Sequence, residues 1–135
     1  MLALVAINMI VPCTYPVTAA TTYYPELKLK DKGRTWYFNT YYPDPADPTI
    51  TIGFDPGQID WDYVVCYYIR HGRTYYVTPS GHSIDYDLNL VEIYFDSKEI
   101  PGGSGVTQTT VIGLLLDGDS FVATGPGWMW RKAGG

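Results

Sequence analysis

Proline and glycine interrupt this chain so often that no long helix is expected. Ten prolines and fourteen glycines are spread over 135 residues, and the short runs between them lack a 3.6-residue hydrophobic period. These runs are rich in β-branched and aromatic residues, which fit the pleated surface of a sheet. The sequence therefore predicts an all-β chain.

We expect a series of short strands separated by turns and loops. The predicted strands are 2–11, 26–30, 35–42, 49–54, 62–70, 73–78, 90–96, 106–116, 121–124 and 128–131. His71-Gly72 and Asp117-Gly118 are predicted hairpin turns, because glycine supplies the positive φ that such turns need. Another turn is expected at 79–82, and the proline-rich stretch 43–48 is expected to be a stiff loop that excludes strands. The glycine-rich stretch 101–105 is expected to cross between sheets or to cover an edge.

Strands of this spacing fit a single β-sandwich, either immunoglobulin-like or jelly-roll, with a small barrel as the other architecture. The length suits one domain. We predict an extended apolar N-terminal arm or strand at 1–23 and the sandwich domain at 24–135. The run 2–11 also resembles a weak secretory signal with a cleavage site at 17–19, but no positive charge precedes it. It is too short to span a bilayer.

Aromatic residues exceed what the core of such a domain needs. They make up 16% of the chain, and 13 of them are tyrosines, whose rings and hydroxyls suit half-exposed faces and interfaces. Alternation predicts two apolar sets on opposite faces of one strand, namely Tyr63, Val65, Tyr67 and Ile69 against Val64, Cys66 and Tyr68. Trp36 and Phe38 share one face of another strand. We therefore expect a second molecule to cover the surplus.

Consecutive tyrosines occur at 23–24, 41–42, 67–68 and 75–76. On a strand such a pair places one ring on each face, so at least one ring lies outside the core. An outer face this aromatic favours association. The expected covering molecule is a neighbouring subunit or a carbohydrate. For a carbohydrate the candidate ligand-binding residues also include Trp36, Trp61, Trp128 and Trp130.

The charge argues against nucleic acid as a partner. The formal net charge is −5, whereas binding to a polyanion depends on many lysine and arginine contacts. The longest basic stretch, 28–32, is interrupted by Asp31 and alternates as an exposed strand face does.

Residues that could perform chemistry are few, and we expect no catalytic, cofactor-binding or metal-binding residues. His71 and His82 are both predicted to lie in turns beside glycine, where a histidine is usually solvated rather than a general base. Motifs for a nucleophile elbow, a phosphate loop or a zinc helix are absent from the sequence. Cys13 and Cys66 could form one disulfide or remain two buried thiols, and the sequence does not decide between them.

Two acidic triplets are candidate catalytic or calcium-binding groups. If Asp60-Trp61-Asp62 and Asp85-Tyr86-Asp87 lie on strands, each pair of carboxylates shares a face about 7 Å apart, which could serve glycoside hydrolysis or bind calcium. The favoured interpretation is that these aspartates flank turns and accept backbone hydrogen bonds there. The segment 117–119 lacks the downstream glutamate of a calcium loop and is interpreted as part of a hairpin.

Several short motifs resemble a known group of proteins. They are Lys32-Gly33-Arg34-Thr35-Trp36-Tyr37-Phe38, the middle section 63–72, which pairs two strands through a glycine turn, and the closing section 116–128. Together they resemble the small β-sandwich modules of tailed-phage structural proteins, particularly the N-terminal domain of baseplate upper proteins. Arg34 stands where that group usually has an acid, and the stretches 1–23 and 43–48 have no counterpart.

The resemblance implies a virion component, such as a capsid decoration, tail or baseplate protein, and no catalytic residue carries over. We expect a non-enzymatic structural protein of the virion that assembles with copies of itself and with neighbouring virion proteins. The expected contacts are aromatic-rich faces and strand exchange by 2–11. The alternative is a secreted carbohydrate-binding β-sandwich module.

Overall fold

The computed structural model describes residues 20–100 and 105–127. These residues form strands β1 to β11, one short 3-10 turn at Pro56–Gln58 and no α-helix. The strands are β1 Thr22–Tyr23, β2 Lys28–Lys30, β3 Thr35–Asn39, β4 Tyr41–Asp44, β5 Asp47–Gly53, β6 Ile59–Arg70, β7 Arg73–Val77, β8 Gly81–Asp85, β9 Leu90–Tyr94, β10 Val106–Leu115 and β11 Ser120–Pro126. The predicted all-β fold is confirmed.

Two sheets make up the body of the molecule. A five-stranded sheet has the order β1-β11-β10-β6-β7, and a four-stranded sheet has the order β2-β3-β9-β8. All pairs within them are antiparallel except β1, which runs parallel to β11. This is the strand order of an immunoglobulin-type sandwich, so the immunoglobulin-like architecture is the one observed.

The core lies between the two sheets and is built by alternation. Trp36 and Phe38 of β3 share one face, as predicted, and that face points inward and is buried. Phe121 of β11 meets them from the other sheet. The ring centroids of Phe38 and Phe121 are 5.4 Å apart. Each such ring contributes about 1.5–3 kcal/mol by leaving water, so this contact holds the two sheets together.

The predicted loop at 43–48 is wrong. Strands β4 and β5 form a separate two-stranded hairpin, in which Pro43 pairs with Thr51. Proline is tolerated because a two-stranded ribbon has two edges, where a missing N–H breaks no ladder. The turn is closed by Asp44, whose Oδ1 accepts the N–H of Ala46 at 2.9 Å.

The predicted turn at 79–82 is also wrong in its second half. Gly81 and His82 begin the edge strand β8, where they pair with Tyr94 and Ile93. The proline and glycine at this point mark the start of a short edge strand, not a hairpin. By contrast, His71 (φ 52°) and Gly72 (φ 77°) both adopt the left-handed conformation, so the predicted two-residue hairpin is confirmed.

The remaining connections agree with the predicted order. The hairpin at Asp117-Gly118 joins β10 to β11, and the N–H of Gly118 donates to the carbonyl of Leu115 at 3.0 Å. The connection from β9 to β10 crosses between the sheets, as expected, although 101–104 lie outside the described residues. The predicted strands at 2–11 and 128–131 lie outside them as well.

Candidate interaction surface

The five-stranded sheet exposes apolar side chains on the side away from the core. Register places Val65 of β6 opposite Ile112 of β10, which in turn lies opposite Val122 of β11, and Tyr67 opposite Tyr76 of β7. We call this surface the outer face. Its apolar members are Tyr63, Val65, Tyr67, Ile69, Tyr76, Ile112, Leu114 and Val122.

The outer face is strongly exposed in the described part of the chain. Tyr76 and Tyr63 retain 71% and 60% of their accessible surface, and Val65 and Leu114 retain 44% each. The remaining outward positions of β10 and β11 carry threonine, serine or glutamine. Asp60 lies opposite Leu114 at one end of the face. Beyond that end the face is a continuous apolar surface rather than a scatter of single apolar residues.

The side chains of β6 that alternate with those of the outer face point to the inner side of the sheet. They occupy the core, so the outer-face side chains of β6 stay outside it. Cys66 and Tyr68 point inward and are buried, and burial raises the pKa of the Cys66 thiol to about 12. Tyr75 lies on the inner side and stacks on Tyr68 with ring centroids 5.2 Å apart. The predicted division of the tyrosine pairs between two faces is confirmed for 67–68 and 75–76.

A bulge in β6 shapes one end of the outer face. Gly113 pairs with Val64, but Leu114 pairs with Asp60, so the intervening residues of β6 have no partner on β10. Gly113 is required here because a Cβ atom would overlap the ring of Phe121. The bulge keeps Leu114 on the outer face while the Phe121 ring fills the core beneath Gly113.

The exposed side of the four-stranded sheet has a different character. The ammonium of Lys30 binds the carboxylate of Glu92, which also accepts a hydrogen bond from the Tyr94 hydroxyl at 2.8 Å. Ser83 lies 2.7 Å from that hydroxyl, and Lys30 sits over the Tyr37 ring at 5.2 Å. These polar groups bind one another and face water, so this side resembles an ordinary solvated surface.

Hydrogen bonding shifts the ionisation of that network. Lys30, and then Tyr94, donate to Glu92 and hold the pKa of its carboxyl below the ordinary value. The same bond to Glu92 raises the pKa of Lys30. Both shifts favour the charged pair, which is the state that faces solvent.

Charge is separated between the two ends of the sandwich. One end collects the β4–β5 hairpin, the β8–β9 turn, the β10–β11 turn and the start of β6. These parts are linked by hydrogen bonds such as Leu116 N–H to Gln58 carbonyl at 2.8 Å and Thr40 N–H to Asn89 carbonyl at 3.0 Å. The carboxylates here, which define the acidic end, are Asp44, Asp47, Asp55, Asp60, Asp62, Asp85, Asp87, Asp117 and Asp119.

None of the described lysines or arginines lies at the acidic end. They lie on β2 and at the opposite end, and they are Lys28, Lys30, Lys32, Arg34, Arg70, Arg73 and Lys98. There the N–H of Phe95 donates to the carbonyl of Arg34 at 2.8 Å and joins two of the connecting turns. In the described part of the chain, one end of the strands therefore carries carboxylates alone, whereas the other mixes the basic residues with Asp31, Asp96 and Glu99.

The candidate catalytic aspartates mostly accept hydrogen bonds from the local backbone. Asp60 accepts the N–H of Asp62 at 3.2 Å, and Asp85 accepts the N–H of Asp87 at 3.0 Å. Asp87 lies in a turn beyond the end of β8, so the second triplet does not lie on a strand. Asp60 and Asp85 thus accept the local backbone hydrogen bonds that the favoured interpretation expects. The turn itself is confirmed only for the second triplet, because the first lies within β6.

Among the described residues, no group of three or more histidine, cysteine, aspartate or glutamate side chains is placed to hold a metal ion. The hairpin interpretation of 117–119 holds, since Asp117 accepts the N–H of Asp119 at 2.9 Å. Cys13 lies outside the described residues, and with it the proposed disulfide to Cys66.

His82 is placed differently from its prediction. It lies on β8, and its ring stacks on Trp61 of β6 with centroids 3.5 Å apart and an interplanar angle of 5°. Loss of water around the ring lowers the pKa of His82. The stack joins a strand of one sheet to a strand of the other. No local sequence signal indicates it, because the partners come from different sheets.

The tryptophans offer little to a sugar in the described part of the chain. Trp36 is fully buried, with its Nε1 donating to the carbonyl of Gly33 at 2.8 Å, and one face of Trp61 is occupied by His82. Trp128 and Trp130 lie outside the described residues. The exposed rings in the described residues are tyrosines instead.

Comparison with known proteins found no matching family, no matching curated protein and no matching solved structure. The resemblance to tailed-phage modules thus stays a prediction. Across the described residues, no helix has the length and apolar character needed to cross a membrane.

Proposed function

We propose that this chain is a non-enzymatic structural subunit of a larger assembly and that the outer face is its main interface. The observation that supports this is the contrast between the two exposed sheet surfaces. One is covered by a hydrogen-bonded network around Glu92. The other exposes Tyr63, Val65 and Tyr76, and its carboxylates Asp60 and Asp62 lie only at the end where β6 begins. Aromatic and aliphatic side chains in a neutral patch are typical of the buried centre of interfaces.

The size of the outer face suits this role. Strands spaced about 4.8 Å apart with a rise of about 3.3 Å per residue give the five-stranded sheet a flat area of roughly 600 Å². Side-chain relief makes the accessible area larger. A standard protein interface buries about 800 Å² on each partner, so this one surface can supply most of an interface.

The setting we propose is a virion, where the chain would serve as a capsid decoration, tail or baseplate component. Support for this setting comes from the resemblance of the motifs at 32–38, 63–72 and 116–128 to phage structural modules. In the same proposal, residues 2–11 add a strand to a neighbouring subunit, because an apolar run of this length can pair along a free sheet edge.

A charged substitution on the outer face tests the interface. Ile112→Lys places an ammonium at its centre, whereas Ser83→Lys places the same group on the polar side of the other sheet. We expect the first variant to lose incorporation into assembled particles, measured by co-sedimentation on a density gradient, and the second to behave as the parent. Equal incorporation of both variants would contradict the proposal.

A secreted carbohydrate-binding module is the second candidate function, favoured by the exposure of Tyr63 and Tyr76. The rings of Tyr67 and Tyr76 are inclined by 60°, so they do not form the flat platform that stacks best on sugar rings. Titration calorimetry with soluble oligosaccharides and the intact mass of the native chain separate the two functions. Sugar binding by a chain that begins near Ala20 would favour secretion.

A further inference from the structure

We propose that the free edge of β7 accepts an extended strand from a neighbouring copy of this chain, and that the donor is the apolar segment 2–11 of that copy. The inference rests on the proposed function, which assigns strand exchange to 2–11, and it names the edge that receives the strand. Three features support it: the backbone groups along β7, the composition of the two segments and the place where the N-terminal residues join the sheet.

Strand β7 has a hydrogen-bonded partner on one side only. It ends the five-stranded sheet and pairs with β6 through a two-residue hairpin, which Arg70 and Arg73 close. The closing pair of such a hairpin exchanges both backbone hydrogen bonds, and bonded and non-bonded pairs then alternate along the strands. Thr74 and Tyr76 therefore direct their N–H and carbonyl groups away from β6. These four groups have no partner in the described part of the chain.

The edge is exposed to solvent and held in place by the core. Residues 73–76 are all exposed, and Tyr76 retains 71% of its accessible surface. On the inner side, Val77 is buried and Tyr75 stacks on Tyr68 of β6. The acceptor is thus ordered before a strand arrives, which lowers the entropy that binding must overcome.

The other sheet edges among the described residues are less suited to receive a strand. Strand β1 has two residues and β2 has three, two of which are lysines, and short or lysine-bearing edges resist pairing. Strand β8 begins with a glycine and ends with Asp85, and β4 and β5 each contain a proline. Strand β7 contains no proline, glycine or acid, and its threonine, tyrosines and valine favour the extended conformation.

The donor segment matches this edge in composition and length. Residues 2–11, which lie outside the described residues, read Leu2-Ala-Leu-Val-Ala-Ile-Asn-Met-Ile-Val11 and carry no charge, proline or glycine. Apart from Arg73 at its first position, β7 is also uncharged, so pairing the two segments need not bury an unpaired ion. The extended segment is about 33 Å long and β7 about 17 Å, so one donor can cover the whole edge.

The N-terminal residues join the sheet at the edge opposite β7. Strand β1 forms one edge of the five-stranded sheet and β7 the other, so copies that stand side by side set β1 of one next to β7 of the next. A segment that precedes Thr22 then starts beside the neighbour's open edge. Such contacts join two different surfaces and repeat head to tail, which gives a ring or a filament. The chain's own β7, about 19 Å away across the sheet, is the competing acceptor in the tests below.

A proline on β7 tests the acceptor. Thr74→Pro removes an N–H that faces the open edge and leaves the β6–β7 ladder intact, whereas Thr74→Ala keeps that N–H. We expect the parent and Thr74→Ala to form oligomers, and Thr74→Pro to weaken association about tenfold or more, because a carbonyl of the donor strand is left unpaired. Light scattering gives the masses, and urea unfolding shows that the variant is folded. A folded Thr74→Pro chain that assembles like the parent overturns the proposal.

Mixing two variants tests the donor and the acceptor together. Ile7→Pro disables the donor segment, so Ile7→Pro and Thr74→Pro chains should each associate weakly when alone. Their mixture should form a complex of one chain of each, because one variant keeps a working acceptor and the other a working donor. A mixture that gains no mass over the separate variants overturns exchange between copies.

Crosslinking locates the pair without the use of proline. In a Cys13→Ser background, a short bis-maleimide should join an Ala6→Cys chain to a Thr74→Cys chain in a mixture of the two. Ser83→Cys, on the exposed edge strand β8, is the control acceptor, and equal crosslinking to both acceptors would contradict the proposal. If a chain that carries both Ala6→Cys and Thr74→Cys crosslinks only within itself, the segment covers its own β7 and the neighbouring copy is excluded.

Incorporation into particles separates this inference from the proposed function. If Thr74→Pro is incorporated whereas Ile112→Lys is not, the acceptor edge is wrong and the outer face stands as the interface. If Ile112→Lys is incorporated whereas Thr74→Pro is not, exchange at β7 is supported and the outer face is not the interface. Full incorporation of both variants overturns both proposals.

Discussion

Glu92 illustrates how single residues give the two sheet surfaces their different characters. It lies on the exposed side of β9, where Lys30 and the hydroxyl of Tyr94 both bind its carboxylate. The polar groups on the exposed side of the four-stranded sheet thereby find their hydrogen-bond partners within the chain itself. On the outer face, residues such as Tyr76 have no comparable bonds to complete, so burial against another molecule costs little desolvation of charge.

The Glu92 network should make stability depend on acid. Because hydrogen bonds lower the pKa of Glu92 below its ordinary value of 4.5, the folded state holds its proton less tightly than the unfolded chain does. The stabilisation is complete above about pH 4.5 and is lost as the pH falls through the folded pKa. We expect Glu92→Gln to remove about 0.5–1 kcal/mol at neutral pH and less in acid, measured by urea unfolding.

Glu26→Gln is the matched control. Glu26 also lies near a lysine of β2, with 3.9 Å between its Oε1 and the Nζ of Lys28, but its side chain is 74% exposed. Exposed pairs of this kind contribute little. Equal acid profiles for the Glu92 and Glu26 variants would show that the network is not a source of stability.

Cys66 should react as a core residue. It is buried on the inner side of β6, and burial raises its pKa to about 12 from the ordinary value of 9.0, which lowers the thiolate fraction about a thousandfold. In a Cys13→Ser background we expect no labelling of the folded chain by a disulfide reagent at pH 8 within minutes. One thiol should react at once in denaturant, and rapid labelling of the folded chain would show an accessible Cys66.

At the scale of the strands, register decides what each position can carry. The bulge between β6 and β10 sets Gly113 over the ring of Phe121 and turns Leu114 to the outer face. The β4–β5 hairpin shows that position in a sheet also matters. Pro43 is tolerated because its ribbon is not part of either larger sheet, so its missing N–H breaks no ladder.

Gly113→Ala should destabilise the fold by about 1–3 kcal/mol, because the added methyl overlaps the Phe121 ring in a packed core. Gly81→Ala is the control, as it also changes a strand glycine but the nearest atom to the added methyl is 4.0 Å away. We expect the control to stay within about 0.5 kcal/mol of the parent. Midpoints of urea unfolding give the comparison, and similar midpoints for the two variants would contradict the packing at Gly113.

Over the whole molecule, the strength of packing is uneven. Strands β10 and β11 lie inside the five-stranded sheet and bury Val111, Phe121 and Ala123 completely. The β4–β5 hairpin pairs only with itself, and most of β5 is exposed. The sandwich and the hairpin should therefore open with different free energies.

Hydrogen exchange should reveal this difference. We expect amides of 106–115 and 120–126 to exchange last, close to the global unfolding limit, and those of 41–53 to exchange far earlier. Mass spectrometry of peptides from these segments measures both. Should the hairpin prove as protected as β10, a partner or another part of the chain must cover it.

By itself, the sequence determined the all-β class, the alternation of side chains between the two faces of β3 and β6, and the turn at His71-Gly72. These depend on backbone sterics and on alternation between neighbours, which are local. Alternation also identified Tyr63, Val65 and Tyr67 as one set. Only the tertiary structure added Ile112 and Val122 to that set, because strand order and register depend on contacts between residues far apart in the chain. For the same reason, it alone gathered the carboxylates of the acidic end at the end of the strands where none of the described basic residues lies.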